Sequence, residues 1–235
     1  GSEMLDALEG FLAWLDGEPN ARALLLYSTM RGGFCAGADL RELYEGLRSR
    51  PKQSHQTEIR AFLDRIHGVM NRLDMLPLPT IAMIHGVCFG GGFELALCCD
   101  LRVCEKTARF CFPELRLGII PGFGGIPRLQ REVGNAAVAD LMFTGRSLNA
   151  KKAQELGLVQ QVVARGEGLA VARRMAAQAA HYDRDATATC KRFFKKLPLE
   201  SLDEEKDHFV RLVQNDAVLQ ALQRFVESTD VRPYL

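Results

Sequence analysis

Two glutamates lie in apolar surroundings, where an unpaired carboxylate is costly to bury, and they are the first candidates for chemistry. Glu94 follows three glycines at positions 90–92, and Glu114 follows Pro113. Paired carboxylates serve as general acid and base in many enzymes. Glu94 is predicted in the first turn of a helix, whose dipole is expected to keep it ionised. An ordinary helix-start residue and a loop residue would give the same pattern, and sequence separation does not fix their distance in space.

Two glycine-rich segments, residues 31–40 and 85–96, are each predicted to join a buried strand to a helix. At such strand ends main-chain amides point into a cleft, and glycines let a ligand approach the backbone closely. One amide from each segment would bracket a single carbonyl oxygen and stabilise negative charge developing on it. Two ordinary turns remain the alternative.

A third candidate is the thiol of Cys88, because Gly86-Val-Cys88-Phe-Gly90 has the form of a nucleophile elbow. A thiol nucleophile also needs a histidine as its general base, from a position later in the chain, and His181 or His208 would have to supply it. The alternative is a small buried hydrophobic residue, which the apolar neighbours favour. The glycine-rich loop at 118–127 lacks the third glycine of a dinucleotide fingerprint, because Pro127 stands there.

Basic and aromatic residues are mixed at 191–196, as they are on nucleic-acid-binding surfaces. The same run describes a helix with a solvated basic face and a buried aromatic face, and this interpretation is preferred. The 30 Lys and Arg against 29 Asp and Glu give a net charge of +1, which is too balanced for a nucleic-acid or membrane footprint of the whole chain.

The hydrophobic fraction of 47% over 235 residues is typical of a folded globular domain. Seven cysteines without metal or redox spacing indicate reduced thiols in a reducing compartment. We therefore expect a cytoplasmic protein, with an organellar matrix as the alternative. The longest uncharged run, 75–93, is interrupted by prolines and glycines and is not predicted to span a membrane.

The elements that must position these groups alternate between strands and helices, which predicts an α/β fold. Helices are predicted at 5–15, 39–44, 59–73 and 91–99, with further short helices capped by Asn135 and Asn149. Strands are predicted at 23–27, 80–84, 101–104 and 109–112. From residue 167 only helical patterns occur, and Asp203-Glu204-Glu205 is interpreted as a helix junction. Residues 1–166 are thus predicted to form the core and 167–235 a helical subdomain.

Taken together, four motifs in order make the chain resemble the crotonase superfamily, the enoyl-CoA hydratase/isomerase group, from Met4 to Leu235. The motifs are Phe34-Cys-Ala-Gly-Ala-Asp-Leu, then His85-Gly with Gly90-Gly-Gly-Phe-Glu-Leu-Ala and Cys99-Asp-Leu-Arg, then Phe112-Pro-Glu-Leu-Arg-Leu-Gly-Ile-Ile-Pro-Gly, and Ala153-Gln-Glu-Leu-Gly-Leu-Val. The resemblance implies a spiral of ββα turns followed by a helical trimerisation region. The family's usual N-terminal strand pair is not found ahead of the helix at Met4.

The resemblance also implies an activity and a set of site residues. The amides of Ala38 and Gly91 correspond to the family's oxyanion hole for an acyl-CoA thioester, and Glu94 and Glu114 to its two hydratase glutamates. Further substrate-binding positions implied in this way are Ala36, Asp39, Leu40, Arg41, Gly90, Pro121, Gly122 and Phe123. Retention of both glutamates favours hydration of an enoyl-CoA, without metal or separate cofactor. Double-bond isomerisation, decarboxylation and an RNA-binding scaffold with little turnover are the alternatives.

The resemblance further implies a homotrimer or hexamer with no membrane partner. Apolar residues of the last helices exceed what a lone terminal hairpin needs, and we expect a second subunit to cover them. These residues are Phe209, Leu212, Val213, Leu219, Leu222, Phe225 and Val226.

Overall fold

A computed structural model describes residues 1–49 and 51–228. The first part of the chain follows the predicted alternation of helices and strands. Its elements are α1 (Ser2–Asp16), β1 (Leu24–Tyr27), β2 (Gly33–Cys35), α2 (Leu40–Ser49) and α3 (Lys52–Asp74). Leu5, Leu12 and Leu15 of α1 are buried, which confirms the predicted apolar stripe.

The next two turns of the fold carry the candidate residues. Their elements are β3 (Thr80–Ile84), β4 (Val87–Phe89), α4 (Gly91–Leu97), β5 (Leu101–Glu105), β6 (Arg109–Cys111), a 3-10 helix (Glu114–Leu117) and α5 (Gly125–Thr144). The sequence did not predict β4, because three residues between glycines are too few for a strand pattern. The helix predicted to begin at Asn135 instead continues α5 beyond a kink at Gly134, where φ is 76° and ψ is 170°.

The remaining elements end the fold with helices. They are β7 (Leu148–Asn149), α6 (Ala150–Glu155), β8 (Gln161–Val163), α7 (Gly168–Ala180), α8 (Arg184–Phe194), α9 (Leu199–Leu212) and α10 (Asp216–Glu227). Asn149 caps α6 as predicted, because its side chain accepts the Lys152 amide. The described residues after 167 form helices and the turns that join them, without a strand, whereas residues 229–235 of the predicted subdomain lie outside the described residues. The domain boundary itself stays a prediction.

Two four-stranded sheets are built in the orders β1-β3-β5-β8 and β2-β4-β6-β7. Neighbouring strands are parallel except for β6 and β7. The first three pairs of consecutive strands each place one strand in each sheet before the chain turns into helix, which gives the spiral of ββα turns that the resemblance implies. The carboxyl ends of β2, β4 and β6 therefore lead to the segments before α2, α4 and the 3-10 helix, which bear the candidate groups.

Helix α8 packs in the opposite orientation to the one predicted from its sequence. Lys191 and Lys195 are buried, and their ammonium groups lie 2.8 Å from the two carboxylate oxygens of Asp100. The rings of Phe193 and Phe194 are 79% and 62% exposed. The prediction that both lysines are exposed to solvent is wrong, because buried aspartates elsewhere in the fold require positively charged partners. A nucleic-acid surface on this run would lack these two charges.

The terminal helices fold back onto the chain's own core. Phe209, Val213 and Leu222 are buried, and α10 packs against α2. The expectation that a second subunit covers these three side chains is therefore wrong, because intrachain packing already removes them from solvent. The oligomeric state stays a prediction. Within residues 1–49 and 51–228, no helix is long and apolar enough to cross a lipid bilayer.

Candidate active site

A cavity of about 430 Å³ lies between helices α1 to α3 and the ends of the second sheet's strands. Its lining includes both candidate glutamates and both glycine-rich segments, so the fold brings together groups from distant parts of the chain. Its far wall is apolar, with side chains that include Leu8, Leu43, Ile59, Phe62, Ile66 and Met70. Such a cavity suits an apolar ligand that carries one polar group to be held at the sheet end.

The amides of Ala38 and Gly91 meet at this sheet end. A Cβ added at Gly91 would lie 3.4 Å from the Ala38 nitrogen, so the two segments are in contact. A Cβ added at Gly92 would lie 2.3 Å from the Cys35 carbonyl oxygen, and glycine there lets α4 approach β2. The hydrogen bonds of the described residues leave the Ala38 and Gly91 amides without a protein acceptor. Both can therefore donate to one ligand oxygen.

Glu94 lies in the first turn of α4, as predicted, with only 2% of the residue exposed. One carboxylate oxygen accepts the Phe123 amide at 2.8 Å. Burial nevertheless raises the pKa of Glu94 to about 7. The expectation that the helix dipole keeps Glu94 ionised is wrong, because desolvation outweighs the dipole and the amide.

Glu114 begins the 3-10 helix that follows β6. Its Oε2 atom is buried and has no hydrogen-bond partner among the described residues, and its Oε1 atom would lie 2.6 Å from a Cβ added at Gly90. Burial, and then the negative charge of Glu94, raise the pKa of Glu114 well above its ordinary value. The two glutamates are therefore electrostatically coupled, with Glu114 the one that retains a proton more strongly.

The residues 122–126, called here the 122–126 turn, form one wall beside these groups. The ring of Phe123 would lie 2.9 Å from a Cβ added at Gly91, so it packs directly against Gly91. It also makes an edge contact with Phe62, with the ring centroids 6.1 Å apart. Both rings line the cavity, so a ligand held there lies alongside them.

Glu205 of α9 is a functional candidate that the sequence analysis missed. It is only 4% exposed, and its two oxygens accept the amides of Gly124 at 2.6 Å and Ile126 at 2.8 Å. Burial raises its pKa to about 8, and the charge of Glu94 adds to this effect. Leu202 lies three positions before Glu205 and Phe209 four positions after it, so helical spacing places Glu205 on the buried face of α9. This spacing is the sequence signal that could have identified it.

The other predicted binding residues fall into two groups. The cavity lining includes Ala36, Asp39, Leu40, Gly90, Gly122 and Phe123. Arg41 and Pro121 lie outside that lining, Arg41 being exposed and Pro121 buried. The side chain of Asp39 caps α2 by accepting the amides of Arg41 and Glu42. A contact of Arg41 or Pro121 with substrate stays a prediction.

Cys88 does not have the environment of a nucleophile. Its side chain is completely buried, it lies 3.6 Å from the Gly92 carbonyl oxygen, and burial raises its pKa well above the ordinary value. His181 and His208 are both exposed. The thiol hypothesis is wrong, because the buried sulfur can neither ionise readily nor reach a surface histidine. Within the described residues, no group of three or more His, Cys, Asp or Glu could hold a metal ion.

Comparison with known sequences gives a family match over nearly the whole chain. The family model described as enoyl-CoA hydratase/isomerase matches residues 1–232. The mouse protein named enoyl-CoA hydratase domain-containing protein 2, mitochondrial, is 43% identical over 166 residues, which cover 71% of this chain and 52% of that protein. The rat protein named methylglutaconyl-CoA hydratase, mitochondrial, is 40% identical over 162 residues, covering 69% and 47%. The chain thus spans about half the length of the curated relatives it matches.

Solved structures give the same picture of the fold. The crystal structure of enoyl-CoA hydratase from Bacillus anthracis has a TM-score of 0.75 and 30% identity, covering 97% of this chain and 86% of that one. The enoyl-CoA hydratase from Bacillus halodurans has a TM-score of 0.85 at 23% identity, covering 95% and 89%, which is a likeness of fold alone.

Proposed function

The chain belongs to the enoyl-CoA hydratase/isomerase family, and we propose that its site reversibly adds water across the α,β double bond of an enoyl-CoA thioester. The observation that carries this proposal is the shared cavity of Glu94 and Glu114 beside two unpaired amides. Hydration needs one group to take a proton, one to give a proton, and donors for the thioester oxygen. These residues supply all three.

The reaction begins with polarisation of the thioester carbonyl. The amides of Ala38 and Gly91 donate to the carbonyl oxygen and draw electron density from the double bond, which makes Cβ electrophilic. Glu94 accepts a proton from water as the water oxygen forms its bond to Cβ. Negative charge collects on the carbonyl oxygen as an enolate, which the two amides stabilise. Glu114 then gives its proton to Cα. The proton that Glu94 took from water passes to Glu114 and restores both groups, so one water is consumed and a 3-hydroxyacyl thioester results.

The assignment of base and acid follows from the environments of the two carboxyl groups. Glu94 has a pKa of about 7 and accepts the Phe123 amide, so its ionised form is available near neutral pH. Glu114 has a higher pKa and an unpartnered buried oxygen, which favours its protonated form. Because the two groups interact, they titrate as a pair, with Glu94 losing its proton first.

The test is a panel of enoyl-CoA and 3-hydroxyacyl-CoA thioesters, followed through the conjugated-enoyl absorbance and by product analysis. Replacing Glu94 or Glu114 by Gln keeps the shape and removes a proton carrier, so turnover should fall by ~10²–10⁴-fold while thioester binding survives. Glu200→Gln, at an exposed position in α9, is the matched control and should leave turnover unchanged. Near-parental turnover in either site variant, or an isomerised product without hydration, would refute the proposed mechanism.

The remaining features of the proposal concern partners and compartment. The proposed hydration transfers no hydride and needs no Lewis acid. We therefore propose that the reaction uses no separate cofactor and that coenzyme A enters only as part of the substrate. We also propose assembly into trimers or pairs of trimers, and the exposed rings of Phe143, Phe193 and Phe194 support a subunit contact. The free cysteines fit a reducing compartment. The names of the mouse and rat relatives place those proteins in mitochondria.

A further inference from the structure

We infer that Glu205 is a positioning residue, which acts on Glu94 through the 122–126 turn that lies between the two carboxylates. It does not line the cavity and is therefore not expected to touch substrate. The inference rests on the proposed function only in giving Glu94 a part in proton transfer.

The amides of the turn are divided between the two carboxylates. Phe123 donates to Glu94, whereas Gly124 and Ile126 donate to Glu205. Successive peptide groups cannot reorient independently, because each shares its flanking dihedral angles with the next. The contacts of Glu205 thus fix the direction of the amide that holds Glu94.

The carbonyl groups of the turn are held as well. The Nε2–H of His67 donates to the Gly122 carbonyl oxygen at 2.8 Å, and the Arg128 guanidinium donates to the Phe123 oxygen at 2.8 Å. Burial lowers the pKa of His67 to about 4, so its ring is neutral near pH 7. The 122–126 turn is therefore held through its carbonyl groups by His67 and Arg128, and through its amides by Glu94 and Glu205.

The charges around Glu205 determine what its removal does. Glu94 on α4 and Glu114 on the 3-10 helix repel its carboxylate, and Arg128 on α5 attracts it. His67 on α3 is neutral at the pH of interest. Glu205 is itself largely protonated where Glu94 titrates, because its pKa of about 8 lies above that of Glu94, so loss of its charge alone should change the pKa of Glu94 little. A change in the pKa of Glu94 on removal of Glu205 therefore reports the amides of the turn.

The first experiment follows the amide protons directly and needs no turnover. In ¹⁵N-labelled protein titrated through neutral and alkaline pH, the Phe123 and Gly125 resonances should report ionisation of Glu94. In Glu205→Met, which removes both accepting oxygens, their midpoint should rise by about one pH unit, because the released turn no longer holds the Phe123 amide on the ionised form of Glu94. Glu204→Met, the exposed neighbour on α9, is the matched control and should leave the midpoint unchanged. An unchanged midpoint in Glu205→Met would overturn the inference.

The second experiment uses the hydration assay. Glu205→Met removes both acceptors and should lower kcat by about 10–100-fold with little change in KM, while Glu205→Gln should recover part of the loss. When Glu94 is already replaced by Gln, Glu205→Met should have little further effect, because its path to the chemistry is gone. An equal loss in both backgrounds would show a merely structural role and refute the inference.

The two arms separate this inference from the proposed function. Melting curves and amide spectra of each variant establish that it folds. If no enoyl-CoA is hydrated but the amide midpoint still rises in Glu205→Met, the proposed function fails and the coupling of Glu205 to Glu94 stands. If hydration occurs and the midpoint does not move, the coupling fails alone.

Discussion

Gly91→Ala tests the proposed oxyanion hole with a single methyl group. The new Cβ would lie 2.9 Å from two carbons of the Phe123 ring and 3.4 Å from the Ala38 nitrogen. Ordinary carbon–carbon contacts are about 3.5–4.0 Å, so the ring must retreat by roughly half an ångström or more. A thioester oxygen has to lie about 2.7–3.1 Å from both amides, and the methyl group crowds that position.

The expected loss of activity follows from the loss of one well-placed donor. Removing one oxyanion donor costs about 10²–10³-fold in turnover, or roughly 2.7–4 kcal/mol of transition-state stabilisation. The fold should survive, because alanine has a better helix propensity than glycine by about 1 kcal/mol, which offsets part of an overpacking cost of about 1–3 kcal/mol. We therefore expect kcat/KM to fall by about 10²–10³-fold while the melting temperature changes by only a few degrees.

The assay measures enoyl-CoA hydration and the melting temperature of the same preparations. Gly68→Ala is the matched control, because it makes the same change on helix α3 where a Cβ would meet nothing within 4 Å. It should keep parental activity. If Gly91→Ala folds normally and turns over within about threefold of the parent, a change far below one oxyanion donor, the carbonyl oxygen is not held by these amides.

Three further predictions concern stability and assembly. Thermal stability should fall as pH rises from about 4.5 to about 8. The folded-state pKa values of Glu94 and Glu205 are raised to about 7 and about 8, so in this range the folded chain binds more protons than the unfolded chain. Calorimetry should show a flatter dependence of melting temperature on pH for Glu94→Gln. Lys195→Met removes a positively charged partner from two buried aspartates and should lower the free energy of unfolding, measured in urea, by about 3 kcal/mol. Lys196→Met, at an exposed position, is the control, and an equal loss there would contradict the prediction. Phe193→Ser should weaken the proposed trimer in analytical ultracentrifugation, and an unaltered assembly would remove α8 from the interface.

Local pattern was sufficient wherever a short stretch of chain decides its own structure. The strand Thr80–Ile84 has the predicted boundaries, Asn149 caps its helix, and Glu94 lies in the first turn of α4. Hydrophobic periodicity and capping act over a few residues, so they can be read without tertiary contacts. The motif resemblance supplied the order of the ββα turns in the same way.

Burial of charge was decided by the tertiary structure alone. The sequence shows Lys191 and Lys195 as a basic run, but only the fold brings buried Asp100 to them. The pKa of Glu94 rises because the cavity removes water from it, an effect that the local helix dipole does not reveal. Glu205 lies 111 positions from Glu94 in the chain, yet the two bind neighbouring amides of one turn. Local sequence thus determined the longer strands and the helices with clear apolar stripes, whereas the three-residue strand β4 and the behaviour of the charged groups depend on pairing and desolvation in the packed chain.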